Sequence, residues 1–224
     1  MNEPLARTMS GQIAARLRDQ ILAGVYTPGA ALLQDSIAAQ FGVSKIPVRE
    51  ALLRLRAEGL IDIHAHRGFQ VRPLVASELD EIFRLRLALE PAAVAEGARQ
   101  ASDAERQAAR VTLERLDDAR LADNLADAGN LNAAFHLALV VARIQPVTAE
   151  ILGRLHTMSQ RYVYLHLQPA GRVRRAAREH NALFKAWVAG RMKESSRLTR
   201  LHIEETRREL SQSLGRVPRS ARRR

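Results

Sequence analysis

The sequence predicts a mainly α-helical protein with one small β-sheet near its N-terminus. Apolar residues recur every three or four positions through most of the chain after Ser77, which is the spacing of one face of a helix. Two short segments, residues 60–64 and 69–72, instead alternate apolar and polar residues around a Gly-containing turn, as paired strands do. Hydrophobic residues make up 46% of the 224 residues, which suffices for the cores of two small domains.

Composition narrows the classes of protein and of site. The chain has no cysteine, which excludes disulfides and thiolate metal sites. A transition-metal site would therefore use His, Asp, Glu, Asn or Gln. The sequence shows no apolar run of about 18 residues and no signal-peptide pattern, so we expect a cytoplasmic protein with no membrane partner.

The first 74 residues predict short helices and short strands. Ile13, Leu17 and Ile21 recur every four positions and predict a first helix over residues 10–23. Pro28-Gly29 then predicts a turn. The further elements predicted here are a strand at residues 30–33, a helix at 34–41, a helix between Ser44 and Gly59, and the strand pair at 60–64 and 69–72.

The helix between Ser44 and Gly59 has an apolar side and a cationic side. Ser44 is its predicted N-cap, and Gly59 is the residue expected to end it. Four apolar residues at helical spacing form a stripe that can be buried: Val48, Ala51, Leu52 and Leu55. Three basic residues lie off that stripe: Lys45, Arg49 and Arg56.

A helix with such a cationic side fits the major groove of DNA, where Lys and Arg contact phosphates or guanine edges. By itself, the pattern is explained equally well by a solvated basic surface. The preceding short helix, residues 34–41, decides between the two interpretations. Two short helices joined by about three residues, the second of them basic, form a helix-turn-helix.

The strand pair after Gly59 predicts a wing. Residues 60–64 and 69–72 form a hairpin whose turn contains His66, Arg67 and Gly68. At the tip of the hairpin, His66 and Arg67 are placed to reach a minor groove or a phosphate. The first domain is therefore predicted to be a winged helix-turn-helix.

This segment resembles the winged helix-turn-helix domain of the GntR family of bacterial transcription regulators. The resemblance runs from Leu17 to Val71 and rests on these residues: Leu17-Arg18, Ile21, Gly24, Pro28-Gly29, Gly42-Val43-Ser44, Pro47-Val48-Arg49-Glu50-Ala51-Leu52, Leu55, Glu58-Gly59-Leu60 and Arg67-Gly68. It implies DNA contacts by Lys45, Arg49, Arg67 and Gly68, to which the basic side of the helix and the wing add Ser44, Arg56 and His66.

Two residues of the third helix depart from the family pattern. Lys45 stands where the family usually has Arg, and Ile46 stands where it usually has Thr. Lysine cannot make the planar two-pronged contact of arginine, so base recognition at that point is expected to be weaker or changed. Arg49 is therefore the residue that we most expect to contact DNA.

Residues 75–214 predict an all-α bundle. The expected helices cover residues 77–99, 103–121, 125–142, 147–167, 172–189 and 193–213, with capping boxes expected at Ser77 and Ser102. The six helices resemble the FCD effector-binding domain of one GntR subfamily. The predicted organisation is a winged helix-turn-helix domain at 1–74, an effector-binding and dimerisation domain at 75–214, and a basic disordered tail at 215–224. That tail holds five of the arginines and no acid, out of a net charge of +11.

Three histidines of the bundle are candidate metal ligands. From spacing alone, His136, His180 and His202 are better explained as scattered histidines of the core or surface. The resemblance reverses this interpretation. The metal-binding pattern of FCD domains is an Asp four residues before the His of a Phe-His pair, then the His of a Glu-His pair, then a His on the last helix. The three histidines match that pattern, and Asn132 occupies the Asp position. His156 and His166 have no evident partners.

The implied cofactor is a divalent metal ion, Zn or Ni, with an open position that takes a small carboxylate. The open alternative is that Asn132 marks the loss of the metal, and that the histidines hydrogen-bond the effector directly. Arg86 lies on the inward face of the first bundle helix. It either clamps the carboxylate of the effector or pairs with Glu90 four residues on.

The function expected is a ligand-responsive transcription regulator, a repressor rather than an enzyme. A homodimer would bind a palindromic operator in double-stranded DNA, and a small organic acid in the bundle would control that binding. Two alternatives stay open: a metal-dependent enzyme, which leaves residues 43–71 unexplained, and a DNA-binding protein without sequence preference.

Overall fold

The structure is a computed structural model that describes residues 8–64, 68–122, 124–164 and 170–216. It confirms the mainly α-helical fold, and the chain divides into two compact units after Pro73. The first unit contains α1 (Met9–Leu22), β1 (Ala31–Leu32), α2 (Gln34–Phe41), α3 (Lys45–Ala57), β2 (Ile61–His64) and β3 (Gly68–Val71). The second contains α4 (Ala76–Gln100), α5 (Asp103–Leu121), α6 (Leu125–Val140), α7 (Pro146–Tyr164), α8 (Ala170–Val188) and α9 (Met192–Arg216).

The first unit packs three helices on a three-stranded antiparallel sheet of order β1-β3-β2. In the sheet, Ile61 pairs with Val71 and His64 pairs with Gly68, so β2 and β3 form the predicted hairpin. The predicted stripe of α3 is fully buried at Val48, Ala51, Leu52 and Leu55. It packs in one core with apolar residues of α1, α2 and the sheet.

The ends of α2 and α3 have the backbone that the sequence predicted. Gly42 ends α2 with φ 65°, and Gly59 follows α3 with φ 77°, the left-handed region that glycine adopts at little cost. Ser44 occupies the N-cap position of α3, but its side chain makes no capping hydrogen bond. The predicted N-cap position is therefore confirmed, but capping by the Ser44 hydroxyl is not observed.

An ion pair joins α1 to the residue that follows α3. Arg18 of α1 donates to both carboxylate oxygens of Glu58, which follows α3, with an Nε to Oε2 distance of 2.7 Å. The hydrogen bonds that Arg18 donates to Glu58 raise the pKa of Arg18. Such a two-pronged contact fixes direction as well as distance, so it orients the C-terminal end of α3 on α1.

The second unit is a bundle in which the two longest helices, α4 and α9, pack along each other. Its core includes Phe83, Phe135 and Trp187, all fully buried. Trp187 of α8 donates its indole N–H to the carbonyl oxygen of Leu139 on α6 over 3.0 Å. The buried indole thus has the polar partner that it needs.

The helix ends of the second unit agree with the sequence at some positions and differ at others. The capping box of α5 is present, with Ser102 and Glu105 each bonded to the other's backbone N–H. The capping box predicted at Ser77 is wrong, because α4 begins at Ala76 and its N-cap, Val75, has no side-chain cap. Helix α9 continues to Arg216, two residues into the predicted tail, and residues 217–224 lie outside the described residues.

Among the described residues, no helix is both long and apolar enough to cross a membrane.

Substitution of Gly97 by alanine should strongly destabilise the bundle. A Cβ at Gly97 would lie 2.0 Å from the carbonyl oxygen of Leu139 and 3.1 Å from Nε1 of Trp187. We expect Gly97→Ala to lower the free energy of unfolding by about 3 kcal/mol, because backbone of α4 or α6 must move. The measurement is urea unfolding followed by circular dichroism.

The matched control is Gly129→Ala in α6, where a Cβ meets nothing within 4 Å. There the change should stabilise the protein by about 0.5–1 kcal/mol through helix propensity. Equal unfolding free energies for the two variants would contradict the close helix contact at Gly97.

Candidate functional site

The exposed side of α3 carries the residues predicted to contact DNA. Ser44, Lys45, Arg49 and Arg56 are all exposed. At 100° per residue, the three basic residues lie within about 40° of one another around the helix axis. They therefore form one cationic stripe beside the buried stripe, as the sequence predicted.

Lys45 is not a free cation in this structure. Its Nζ lies 2.6 Å from Oδ1 of Asp35 on α2, in a pair whose two side chains are well exposed. Exposed pairs of this kind are worth little in water, so DNA phosphates can compete for the lysine. Next to it, Ile46 is 72% exposed, at the start of the helix.

The wing is described only in part. Gly68 begins β3 with φ 72°, and it is exposed. His66 and Arg67, the residues predicted at the tip, lie outside the described residues. Their DNA contacts stay a prediction.

In the second unit, the three predicted histidines meet in one buried cluster. His136 of α6 and His180 of α8 are fully buried, and His202 of α9 is 7% exposed. One ring nitrogen from each lies within 4.8 Å of those of the other two. We call His136, His180 and His202 the histidine centre.

The histidine centre fits a divalent metal ion in its donor atoms and spacing. The Nε2 atoms of His180 and His202 are 3.1 Å apart, close to the roughly 3.3 Å that separates two nitrogens on a tetrahedral zinc ion. The Nε2 atom of His136 is buried and has no hydrogen-bond partner among the described residues. An unpartnered buried nitrogen beside two others is what a metal ion would satisfy.

Asn132 lies one turn before His136 on α6 and is half-buried. The helical spacing places both residues on the same side of α6. Coordination of a metal by Asn132 stays a prediction.

A carboxylate lies on the far side of His136. Glu90 of α4 is fully buried, and its Oε1 lies 2.8 Å from Nδ1 of His136. Its Oε2 lies 3.2 Å from Nε2 of His156. These three residues form a second cluster with the spacing of a metal site, which shares His136 with the histidine centre.

Arg86 pairs with Glu90, which is one of its two predicted roles. The Nε of Arg86 lies 2.9 Å from Oε2 of Glu90, and both side chains are buried. Arg86 also donates to Oγ of Ser159 over 3.4 Å. Binding of an effector carboxylate by Arg86 stays a prediction.

The charges follow from these contacts. Burial favours the neutral form of Glu90, but Arg86 and the two histidines outweigh it and hold its pKa well below the usual range. Burial lowers the pKa of His136 to about 3, despite Glu90, and it also lowers the pKa values of His156 and His180. At neutral pH the rings of His136, His156 and His180 are therefore uncharged. Arg86 is the cation that holds Glu90 ionised.

Two groups that the sequence did not assign touch the histidine centre. Arg120 of α5 has Nη2 3.0 Å from Nδ1 of His180. Glu179 of α8 has Oε2 2.7 Å from Nδ1 of His202. Arg120 follows the buried residues Leu113 and Leu116 at helical spacing along α5. That spacing could have predicted an inward-facing Arg120.

His156 was also missed, because the sequence shows no evident partner for it. It lies on α7 between Leu152 and Ser159, at the spacing of an inward face. That periodicity would have placed it in the core. It does not reveal Glu90 as the partner, because the contact joins two helices distant in sequence.

Comparison with known families matches both units. Residues 9–71 match the model of bacterial regulatory proteins of the gntR family, and residues 81–205 match the FCD domain model. The chain belongs to the GntR family. It is a GntR transcriptional regulator with an N-terminal DNA-binding helix-turn-helix domain and a C-terminal FCD domain, which confirms the resemblance found in the sequence.

Individual GntR regulators are similar over much of the chain. The HTH-type transcriptional regulator McbR of Escherichia coli is 31% identical over 162 residues, 71% of this chain and 73% of that protein. The solved structure of E. coli McbR/YncC superposes with a TM-score of 0.80 and 25% identity, covering 92% of this chain and 99% of that one. The gluconate operon transcriptional repressor of Bacillus licheniformis is 37% identical over 87 residues, 38% of this chain and 35% of that protein.

Removal of the Glu90 charge should strongly destabilise the FCD domain. Glu90→Gln keeps the shape but leaves the guanidinium of Arg86 buried without a counter-ion, which costs about 3–5 kcal/mol. The measurement is the free energy of unfolding in urea. The matched control is Glu96→Gln on the same helix, whose partner Arg99 is exposed, and there we expect a change within about 0.5 kcal/mol.

The double variant Arg86→Met/Glu90→Leu should recover most of that loss, because it removes both buried charges. A Glu90→Gln protein as stable as the Glu96→Gln protein would show that the buried pair is not needed for stability.

Proposed function

We propose that this GntR regulator is a repressor that binds a palindromic operator as a homodimer through the cationic stripe of α3. The observation that carries this proposal is the exposed stripe of Lys45, Arg49 and Arg56 on the second helix of the helix-turn-helix. Proteins with this motif place that helix in the major groove, and two-fold dimers pair it with two half-sites. The name of the B. licheniformis relative, a transcriptional repressor, supports the sign of the regulation.

Within the stripe, Arg49 is proposed to read bases and Lys45 and Arg56 to hold phosphates. Arginine presents a planar pair of donors that matches a guanine edge, whereas lysine is a point charge. In the free protein Lys45 is paired with Asp35. Ser44 precedes the helix, and the wing residues His66, Arg67 and Gly68 are proposed to contact the backbone or the minor groove.

Replacement of Arg49 should reduce specific DNA binding. We expect Arg49→Ala to weaken binding about 10- to 100-fold, because one good base contact contributes about 1–3 kcal/mol. The probe is DNA selected from a random library by the native protein, and fluorescence anisotropy at fixed salt gives the dissociation constant. In a titration of this DNA, the native protein should saturate binding at two chains per duplex.

The matched control is Arg54→Ala, which removes the same charge from the same helix about half a turn around the axis from the stripe. It should weaken binding only a few-fold, on selected and random DNA alike. Equal losses for Arg49→Ala and Arg54→Ala on the selected DNA would contradict base recognition by Arg49.

We further propose that a small organic acid binds in the FCD domain and controls DNA binding, and that a divalent metal ion, Zn or Ni, holds it. His136, His180 and His202 would be the metal ligands, with Asn132 as a fourth, and the ion would supply a Lewis-acidic position for a carboxylate. The convergent, partly unpartnered ring nitrogens support this proposal. Two cations near the rings, the buried Arg86 and the half-buried Arg120, also favour an anionic effector.

We propose that this centre serves regulation rather than catalysis. We also propose that the protein is cytoplasmic. The relatives named above are transcriptional regulators. An effector that binds one conformation of the FCD domain better than another would shift DNA binding by the difference of those affinities.

Metal content tests the histidine centre directly. After chelator treatment and repletion with Zn²⁺ or Ni²⁺, we expect about one ion per chain by mass spectrometry of the metal, as one three-histidine site holds. His202→Gln should lose the ion, because it removes one of three ligands. The control His64→Gln changes an exposed histidine of the wing and should retain it.

Well below one ion per chain after careful repletion would favour the alternative, in which the histidines hydrogen-bond the effector directly. Citrate, used as a model carboxylate, should then bind equally well with and without added metal in calorimetry. Binding of citrate that needs the metal would support the metal-held effector.

A further inference from the structure

The rings of His180 and His202 form part of a hydrogen-bond chain with a donor at one end and an acceptor at the other. Nη2 of Arg120 lies 3.0 Å from Nδ1 of His180. Nε2 of His180 lies 3.1 Å from Nε2 of His202, and Nδ1 of His202 lies 2.7 Å from Oε2 of Glu179. A guanidinium can only donate and an ionised carboxylate can only accept, so the two ends of the chain fix the protons between them.

The proton positions follow independently from each end. From the arginine end, Nδ1 of His180 must accept, so the hydrogen of this neutral ring sits on Nε2. From the glutamate end, Nδ1 of His202 donates, and in a ring with a single hydrogen this leaves the lone pair on Nε2. The two results agree, because one N–H of His180 then points at one lone pair of His202.

This arrangement suits two of the three histidines for a metal, but not the third. A histidine ligand binds through a lone pair and donates its other N–H to a neighbouring acceptor. His202 has this form, with Glu179 as its acceptor. His136 also has a carboxylate beside Nδ1, because Oε1 of Glu90 lies 2.8 Å from that atom. Among the described residues neither nitrogen of His136 makes a hydrogen bond, so Nε2 is free of a competing partner.

His180 has the opposite form. A metal on its Nε2 would move the ring hydrogen to Nδ1, where it would face an N–H of Arg120. Two donors would then oppose each other at a fully buried ring, and a guanidinium would stand close to a divalent cation. Unsatisfied buried donors and like charges both raise the free energy of such a state.

We propose that Arg120 opposes metal binding at the histidine centre, so that an ion binds at His180 only when the guanidinium leaves Nδ1. Arg120 is thus a positioning residue that holds His180 in the tautomer of the metal-free protein. Asp117, 3.0 Å from Nη1 of Arg120, is the partner that retains the displaced side chain. The inference rests on the metal site proposed above and adds what sets its affinity.

The first test compares zinc affinities of the full-length protein and three variants, by competition with a chromogenic chelator. Arg120→Gln replaces the donor by a side chain whose carbonyl oxygen can accept from Nδ1–H of His180. It should bind zinc at least about tenfold more tightly than the native protein, since relief of one unsatisfied buried donor is worth about 1–3 kcal/mol. Arg120→Lys keeps a donor and should stay within about threefold of the native affinity.

The control Arg115→Gln makes the same change of charge at an exposed position of α5 and should leave the affinity unchanged. Equal affinities of the native and Arg120→Gln proteins would overturn the role of Arg120 while leaving the metal site intact. No zinc binding by any of the four proteins would instead overturn the metal site, and the inference with it.

The second test needs no variant to fold. Long-range ¹H–¹⁵N spectra of the metal-free native protein distinguish the two tautomers of each histidine ring. We expect His180 to carry its hydrogen on Nε2 and His202 on Nδ1. A hydrogen on Nδ1 of His180, or on both of its nitrogens, would overturn the inference whatever the zinc affinities are.

Discussion

The centre of the FCD domain depends on one buried carboxylate. Glu90 has no solvent exposure, yet it is held ionised by Arg86 on the same helix. A carboxylate buried there without a cation would take up a proton, because its ionised form would be too unfavourable. A guanidinium buried there without an anion would also be highly unfavourable. Each of the two charged groups is therefore stable only in the presence of the other. The carboxylate of Glu90 places a fixed negative charge between α4, α6 and α7.

That charge orients the rings around it. Oε1 of Glu90 faces Nδ1 of His136, and the other nitrogen of that ring is left pointing away from the carboxylate. Glu179 does the same for His202 from a different helix. Carboxylates on α4 and α8 thus lie beside Nδ1 of rings on α6 and α9, which is the side opposite to the nitrogen that would bind a metal ion.

Much of the fold was predictable, because it depends on local patterns. The stripe of α3 and the glycine ends of α2 and α3 follow from periodicity and from the conformational freedom of glycine. The predictions at Ser44 and Ser77 failed for different reasons. Ser44 stands at the N-cap of α3 but its side chain makes no capping hydrogen bond, whereas α4 begins one residue before Ser77 and so includes it.

The candidate centre was predictable only where a family pattern pointed to it. His136, His180 and His202 were found through the resemblance, since three residues spread over 67 positions carry no local signal. Arg120 and His156 were missed, because their contacts join helices far apart in sequence. Without a metal, each of these charged groups has an oppositely charged partner: Arg86 with Glu90, Arg120 with Asp117, and Glu179 with Arg175. A divalent ion would leave two positive charges uncompensated, and Asn132 supplies none of the charge that an aspartate would. Metal and anionic effector are therefore expected to bind more tightly together than separately, because each supplies the charge that the other lacks.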